Sequence, residues 1–172
     1  MFDIVRIAPE SAEQFRRVRL EALKTDPLAF GSTYERELQL TPEEWLQRAE
    51  SLDGIQRIGF FVIRDKEPCG LGACFRNDGD ASVGQVISIW VAPSSRRSGL
   101  GMMLLEAIRA WAESQGITKL LLMVASGNSG AIKLYRHAGF TETGRTQPYP
   151  NDPTLMEIEM SRSTEQKMPA RL

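Results

Sequence analysis

The chain has 172 residues with 21 Lys+Arg against 22 Asp+Glu, a net charge of -1, so one domain large enough for a core without disulfides or metal is the default. The balanced charge gives no general electrostatic case for nucleic acid or a membrane surface, no apolar run is as long as a membrane span, and Met1-Phe2-Asp3-Ile4 lacks a signal peptide's basic start. One histidine gives a zinc site nothing to build on. Cys69 and Cys74 sit at an odd separation that points them to opposite faces of an extended segment, so a disulfide is not expected and a reducing cytoplasm is.

In chain order, residues 4–7 read as a short strand. Ser11 with Gln14 opens a helix by the capping-box pattern, carrying Phe15, Val18 and Leu23 inward and the Arg16-Arg17-x-Arg19 cluster on its solvated side. Thr41-Pro42-Glu43-Glu44 starts a second helix, with Trp45, Leu46 and Ala49 as its buried side, after a long connection over 26–40. Three strands follow, at 57–64, 69–76 and 81–91, joined by turns at 65–68 and 77–80 short enough for antiparallel hairpins.

The next helix opens at Gly99: Leu100, Met103, Leu104, Ala107, Ile108 and Trp111 recur at i, i+3, i+4, and Gly116 stops it. The nearly continuous apolar run 119–125 reads as a buried strand parallel to the one before that helix. A helix from Asn128 and strands at 140–145 and 155–160 complete the pattern, with His137 off the apolar face as a surface residue. Residues 1–161 form the expected domain and 162–172 a polar, frayed tail. The fold class is α/β of the α+β type, a mixed, mostly antiparallel sheet flanked by helices.

The chemistry concentrates at Arg96-Arg97-Ser98-Gly99-Leu100-Gly101, between the strand 86–91 and the helix. Two glycines let backbone approach a ligand, the helix start presents unsatisfied N–H groups and a positive dipole end, and two arginines add charge: an anion cradle. A Walker A loop is absent, and the third glycine of a dinucleotide fingerprint would fall at Leu104.

Val91-Ala92-Pro93, then Arg96-x-x-Gly99-x-Gly101 and Leu104-Leu105, followed by Asn128-x-x-Ala131-x-x-x-Tyr135-x-x-x-Gly139-Phe140, resembles the GNAT superfamily of N-acyltransferases, over roughly residues 3–161. The resemblance implies a sheet whose parallel strand pair splays apart to hold acetyl-CoA, with no metal. Ile89 and Val91 would offer main-chain groups to the pantetheine arm, while Arg97, Ser98, Gly99, Gly101 and Met102 would line the pyrophosphate. Arg96 would contact phosphate or close the loop. Asn128 would touch the cofactor arm, cap its helix, or both. Tyr135 would be the catalytic residue nearest the thioester sulfur, although periodicity alone favours core packing for it.

That implies a cytoplasmic N-acetyltransferase acting on the primary amine of a small molecule, amino acid or peptide, compatible with a homodimer. The alternatives are a non-catalytic acyl-CoA-binding sensor and a protein lysine or N-terminal acetyltransferase. Many relatives place a glutamate on the strand before the loop, but Gln85-Val86-Ile87-Ser88-Ile89-Trp90-Val91 carries no carboxylate. Gln85 or Ser88 could only order water. Glu35 and Glu37 are distant candidates for the base, or solvated loop charges. The acceptor pocket is expected between 29–35 and 147–153.

Overall fold

Phe61 and Val62 are both buried neighbours on one strand, and they join different core clusters, so apolar side chains leave both faces of the sheet and helices must cover both. The structure, a computed structural model, describes residues 1–169; residues 170–172, the end of the expected tail, lie outside the described residues. The elements are β1 (Phe2–Arg6), α1 (Ala12–Thr25), α2 (Tyr34–Leu38), α3 (Pro42–Ser51), β2 (Arg57–Arg64), β3 (Glu67–Arg76), β4 (Val83–Val91), α4 (Leu100–Ser114), β5 (Lys119–Ala125), α5 (Ser129–His137), β6 (Thr141–Tyr149) and β7 (Asp152–Ser163). They form one seven-stranded sheet in the order β1-β2-β3-β4-β5-β7-β6, antiparallel except for β4 and β5, as the sequence suggests. Leu104 and Ile108 of α4 cover one face; Val18 and Leu23 of α1, with Trp45 of α3, cover Phe61, Leu71 and Trp90 on the other.

The parallel pair is short. β4 and β5 are matched only from Val83 and Lys119 to Gln85 and Leu121, and both strands then run on without pairing to each other. β5 stays in the sheet because its other edge pairs with β7 as far as Ala125 opposite Glu157. β4 bulges where this separation begins: Leu71 faces Trp90 but Ala73 faces Ile87, and Ser88 takes the left-handed φ of 61°.

Local signals differ in how well they survive. Thr41 and Glu44 form the expected reciprocal cap, the Glu44 N–H donating to the Thr41 hydroxyl at 3.2 Å and the Thr41 N–H to the Glu44 carboxylate at 2.7 Å. Ser11 does not pair with Gln14. Its hydroxyl turns back to Ala8, donating to the carbonyl at 2.8 Å and accepting from the N–H at 3.1 Å, which closes a short turn before α1. Trp45 and Ala49 are buried, four residues apart on one face, whereas Leu46, a quarter-turn away, is 40% exposed. The connection 26–40 contains a 3₁₀ turn, Pro27–Ala29, and the short helix α2.

The C-terminal hairpin is longer than expected, so Gln147 and Pro148 lie in β6 and the turn is confined to Pro150 and Asn151. The frayed tail does not begin at Arg162 either: β7 continues to Ser163, and Arg162 and Thr164 are buried. Their polarity misleads because the polar atoms find partners, the Thr164 hydroxyl donating to the Ile117 carbonyl at 2.7 Å and Arg109 to the Thr164 carbonyl at 2.8 Å. Cys69 and Cys74 are buried free thiols in separate clusters, and burial pushes the Cys74 thiol up to about 12. No helix among the described residues is long and apolar enough to cross a membrane.

The hairpin tip is tied to the turn after α1. The buried Tyr149 hydroxyl reaches the Phe30 carbonyl at 2.5 Å and the Pro27 carbonyl at 2.8 Å, and the Asn151 amide donates to Phe30 and Ser32 carbonyls at 3.2 and 3.1 Å. Tyr149→Phe removes the shared donor and leaves the Pro27 carbonyl without it, so the urea midpoint should drop by the equivalent of about 1–2 kcal/mol with an unchanged m-value.

Candidate active site

After Val91 the chain passes through a turn, Pro93–Ser95, and enters α4 with Gly99 as the N-cap at φ 74°. No side chain caps this helix and no acidic residue sits in its first turn, so its leading N–H groups and dipole face outward uncompensated. Arg97 is exposed and held at φ 61°, a strained setting for a residue with a side chain. A cavity of about 390 Å³ lies beside this helix start. Ile89 and Val91 line it from β4, Arg96, Arg97 and Gly99 from the loop, Gly101 and Met102 from α4, and Asn128 from the start of α5.

Ser98 stands apart from that lining, exposed, its hydroxyl donating to the Arg96 carbonyl at 3.4 Å. Arg96 closes the loop: its Nε donates to the Val91 carbonyl at 2.9 Å and a terminal nitrogen meets Asp26 at 2.5 Å. The Trp90 indole donates to the same Asp26 oxygen at 2.8 Å. Gly101 is needed for packing as well, since a Cβ there would lie 2.7 Å from a Leu134 methyl of α5. The Asn128 side chain accepts from the Ala131 N–H at 3.2 Å, which makes it the cap of α5.

Tyr135 lines a second cavity of about 400 Å³ on the other side, between the turn after α1, β4 and the β6–β7 hairpin. Leu134 faces the first cavity and Tyr135 the second, so consecutive residues of α5 reach both. Tyr135 is buried and packs edge-on to Phe140 with ring centroids 5.9 Å apart. Burial alone pushes its phenol up, so the hydroxyl is protonated across the neutral range.

Charged groups that sequence reasoning placed in solvent surround this second cavity. Arg19 is turned inward and grips Glu37 at 2.9 and 3.0 Å, while its other terminal nitrogen donates to the Ser88 hydroxyl at 2.6 Å. Glu37 is 1% exposed, so it is not a solvated loop charge, and Arg48 adds a third contact at 3.1 Å. Burial pushes the Glu37 carboxyl up, but the Arg19 hydrogen bonds and charge, with the Arg48 charge, outweigh it and hold the pKa below the usual carboxylate value. A carboxylate so held is a poor proton acceptor. Glu35 is exposed on α2. His137 is half-buried rather than a surface residue, its Nε2 enclosed without a hydrogen-bond partner among the described residues.

Glu157, on β7, was missed. It is 7% exposed and lines the second cavity, yet only the sheet order that sets β7 beside β5 brings it there. Among the described residues no group of three or more His, Cys, Asp or Glu is arranged to hold a metal ion.

The lowered Glu37 pKa fixes a pH dependence. Its stabilisation is present above the ordinary value of 4.5 and is lost as pH falls from there through the lower folded-state pKa. Glu37→Gln should therefore cost about 3 kcal/mol at pH 7, the low end for breaking a buried ion pair, and should flatten the acid side of the thermal-midpoint profile.

A sequence model described as the acetyltransferase (GNAT) family matches residues 20–140. Over 82 residues the chain is 34% identical to IAA acetyltransferase of Azospirillum brasilense, covering 48% of this chain and 54% of that protein. Over 82 residues it is also 42% identical to the ribosomal protein bS18 alanine N-acetyltransferase of Salmonella typhimurium, covering 44% of this chain and 55% of that protein. The chain thus spans about half the length of these curated relatives. Among solved structures it shares its fold with YncA of Salmonella typhimurium, described with acetyl-CoA as its cofactor, at a TM-score of 0.78 and 16% identity over 99% of this chain and 98% of that one. The match over residues 20–140, falling on the fold and loop described above, makes this chain a member of the GNAT acetyltransferase family.

Proposed function

We propose that the chain transfers the acetyl group of acetyl-CoA directly to a primary amine of a small molecule, amino acid or peptide, in the cytoplasm, without metal. The observation that carries this reading is the wedge opened between β4 and β5 beyond Gln85 and Leu121, with an anion cradle on one side and Tyr135 on the other. The uncapped start of α4 and the exposed cation of Arg97 fit a pyrophosphate. The edge of β4 that faces the wedge past Gln85 has no strand partner, which suits the amides of a pantetheine arm near Ile89 and Val91. The names of the relatives agree with the reading.

Acetyl-CoA, when bound, supplies an acetyl group activated as a thioester. Arg97 and the α4 N–H groups hold its phosphates, and Arg96, already anchored on Asp26 and Val91, keeps the loop in place. The acceptor nitrogen forms the new C–N bond as the C–S bond breaks, and the protonated Tyr135 hydroxyl donates to the leaving sulfur. A passive sensor would need the cradle alone. The second cavity, walled by charged groups and by Tyr135, favours an enzyme.

Arg97→Gly removes the charge while suiting the left-handed backbone. The dissociation constant for coenzyme A should rise roughly tenfold, with apo stability unchanged or slightly raised. An unchanged constant by calorimetry would move the phosphate site off this loop. Tyr135→Phe keeps the ring against Phe140 and should lower single-turnover rates by about 10²-fold to 10⁴-fold with little change in acetyl-CoA affinity. Rates within about twofold of the parent would return Tyr135 to a packing role.

A further inference from the structure

The second cavity holds two guanidiniums and two carboxylates whose pairing is uneven. Glu37 is saturated: Arg19 takes both of its oxygens and Arg48 shares one. Arg19 is saturated in turn, its remaining terminal nitrogen bound to Ser88. Arg48 is not. It uses one nitrogen on Glu37, its side chain is 40% exposed, and its guanidinium rests 5.1 Å from the Trp45 ring centre, fixed in orientation with Nε and the other terminal nitrogen unpartnered among the described residues.

Glu157 is the complement. More than nine-tenths buried, it accepts from the Gln147 amide at 2.5 Å and forms no ion pair with any described Arg, Lys or His. A buried carboxylate without a counter-ion is costly, so the cavity lacks a cation at Glu157 and an anion at Arg48.

We propose that the acceptor is a zwitterion, a free α-amino acid or close derivative, with its carboxylate on Arg48 and its ammonium on Glu157. This rests on the transferase reading and narrows it. A volume of about 400 Å³ suits a small molecule, a peptide N-terminus lacks the nearby carboxylate, and a polyamine would set a second cation against Arg48. Glu157, opposite Ala125 at the end of β5, also supplies the proton acceptor missing from β4. One ammonium proton passes to Glu157, freeing the lone pair for attack. As the C–N bond forms and the C–S bond breaks, the Tyr135 proton goes to sulfur. The second nitrogen proton restores the phenol, and the proton on Glu157 leaves to water, one proton released per turnover.

The test titrates L-α-amino acids, their α-carboxamides and the matching decarboxylated amines into the coenzyme A complex of the full chain by calorimetry, alongside thiol release from acetyl-CoA. At least one acid should bind roughly ten- to hundredfold tighter than its carboxamide. Arg48→Met should erase that preference while coenzyme A still raises the melting temperature, and Arg48→Lys, which keeps the charge without the fork, should retain part of it. Glu157→Gln should weaken acid and carboxamide alike and lower turnover. Carboxamides or amines bound as tightly as the acids, a panel in which no acid binds, or a preference that persists in Arg48→Met overturns the proposal. Acid-selective binding without thiol release instead sustains the acceptor assignment and counts against the transferase reading.

Discussion

The structure turns on two parallel strands that pair for three residues and then part. Parting strands would ordinarily leave buried N–H and C=O groups without partners on both edges. Here β5 keeps its far edge satisfied by β7 down to Ala125, so only its near edge is open. β4 stays attached to β3 through a bulge at Ser88, whose hydroxyl accepts from Arg19, a residue of α1. The opening is therefore braced from both sides rather than left as a fault in the sheet, and both cavities lie along it.

Asp26 joins those cavities. It ends α1, takes the Trp90 indole from β4 and Arg96 from the loop, and is followed by the carbonyls of Pro27 and Phe30 that hold Tyr149 at the hairpin tip. Ala29, three residues on, lines both cavities. The wall between the loop on one side and the charged pocket on the other is thus a polar network around one turn. Such networks fix geometry because each member left unsatisfied costs more than an apolar contact would. Arg96 belongs to this network first, which is why the loop's remaining exposed cation, Arg97, is the better candidate for phosphate.

What was legible in the sequence was local. The α4 periodicity, the Thr41 cap, β2 and β5 and the α5 motif are written in residues a few positions apart, and they stand where those residues put them. Arg19, Glu37 and Glu157 were illegible because their burial depends on partners 11 residues or more away or on sheet order. A charge cluster on a helix reads as solvated unless the partner is known, and Glu37 lies beyond the turn that brings it back. Ser88 hid the bulge because serine carries no signal of a positive φ. Arg162 and Thr164 look like tail residues by composition, and only their hydrogen bonds reveal them as interior.

Environment, more than residue type, separates the ionisable groups around the second cavity. Tyr135 is kept protonated by burial with no cation near enough to offset it, which suits a donor. Glu37 is kept ionised by two guanidiniums, which disqualifies it as a base and gives it the task of orienting Arg19 and Arg48. Cys74 is buried in apolar surroundings and is no nucleophile. Glu157 is buried against the second cavity and has no ion-pair partner among the described residues. Although β4 carries no carboxylate, the wedge between β4 and β5 is bordered by one, because β7 lies beyond β5 and sets Glu157 against the second cavity.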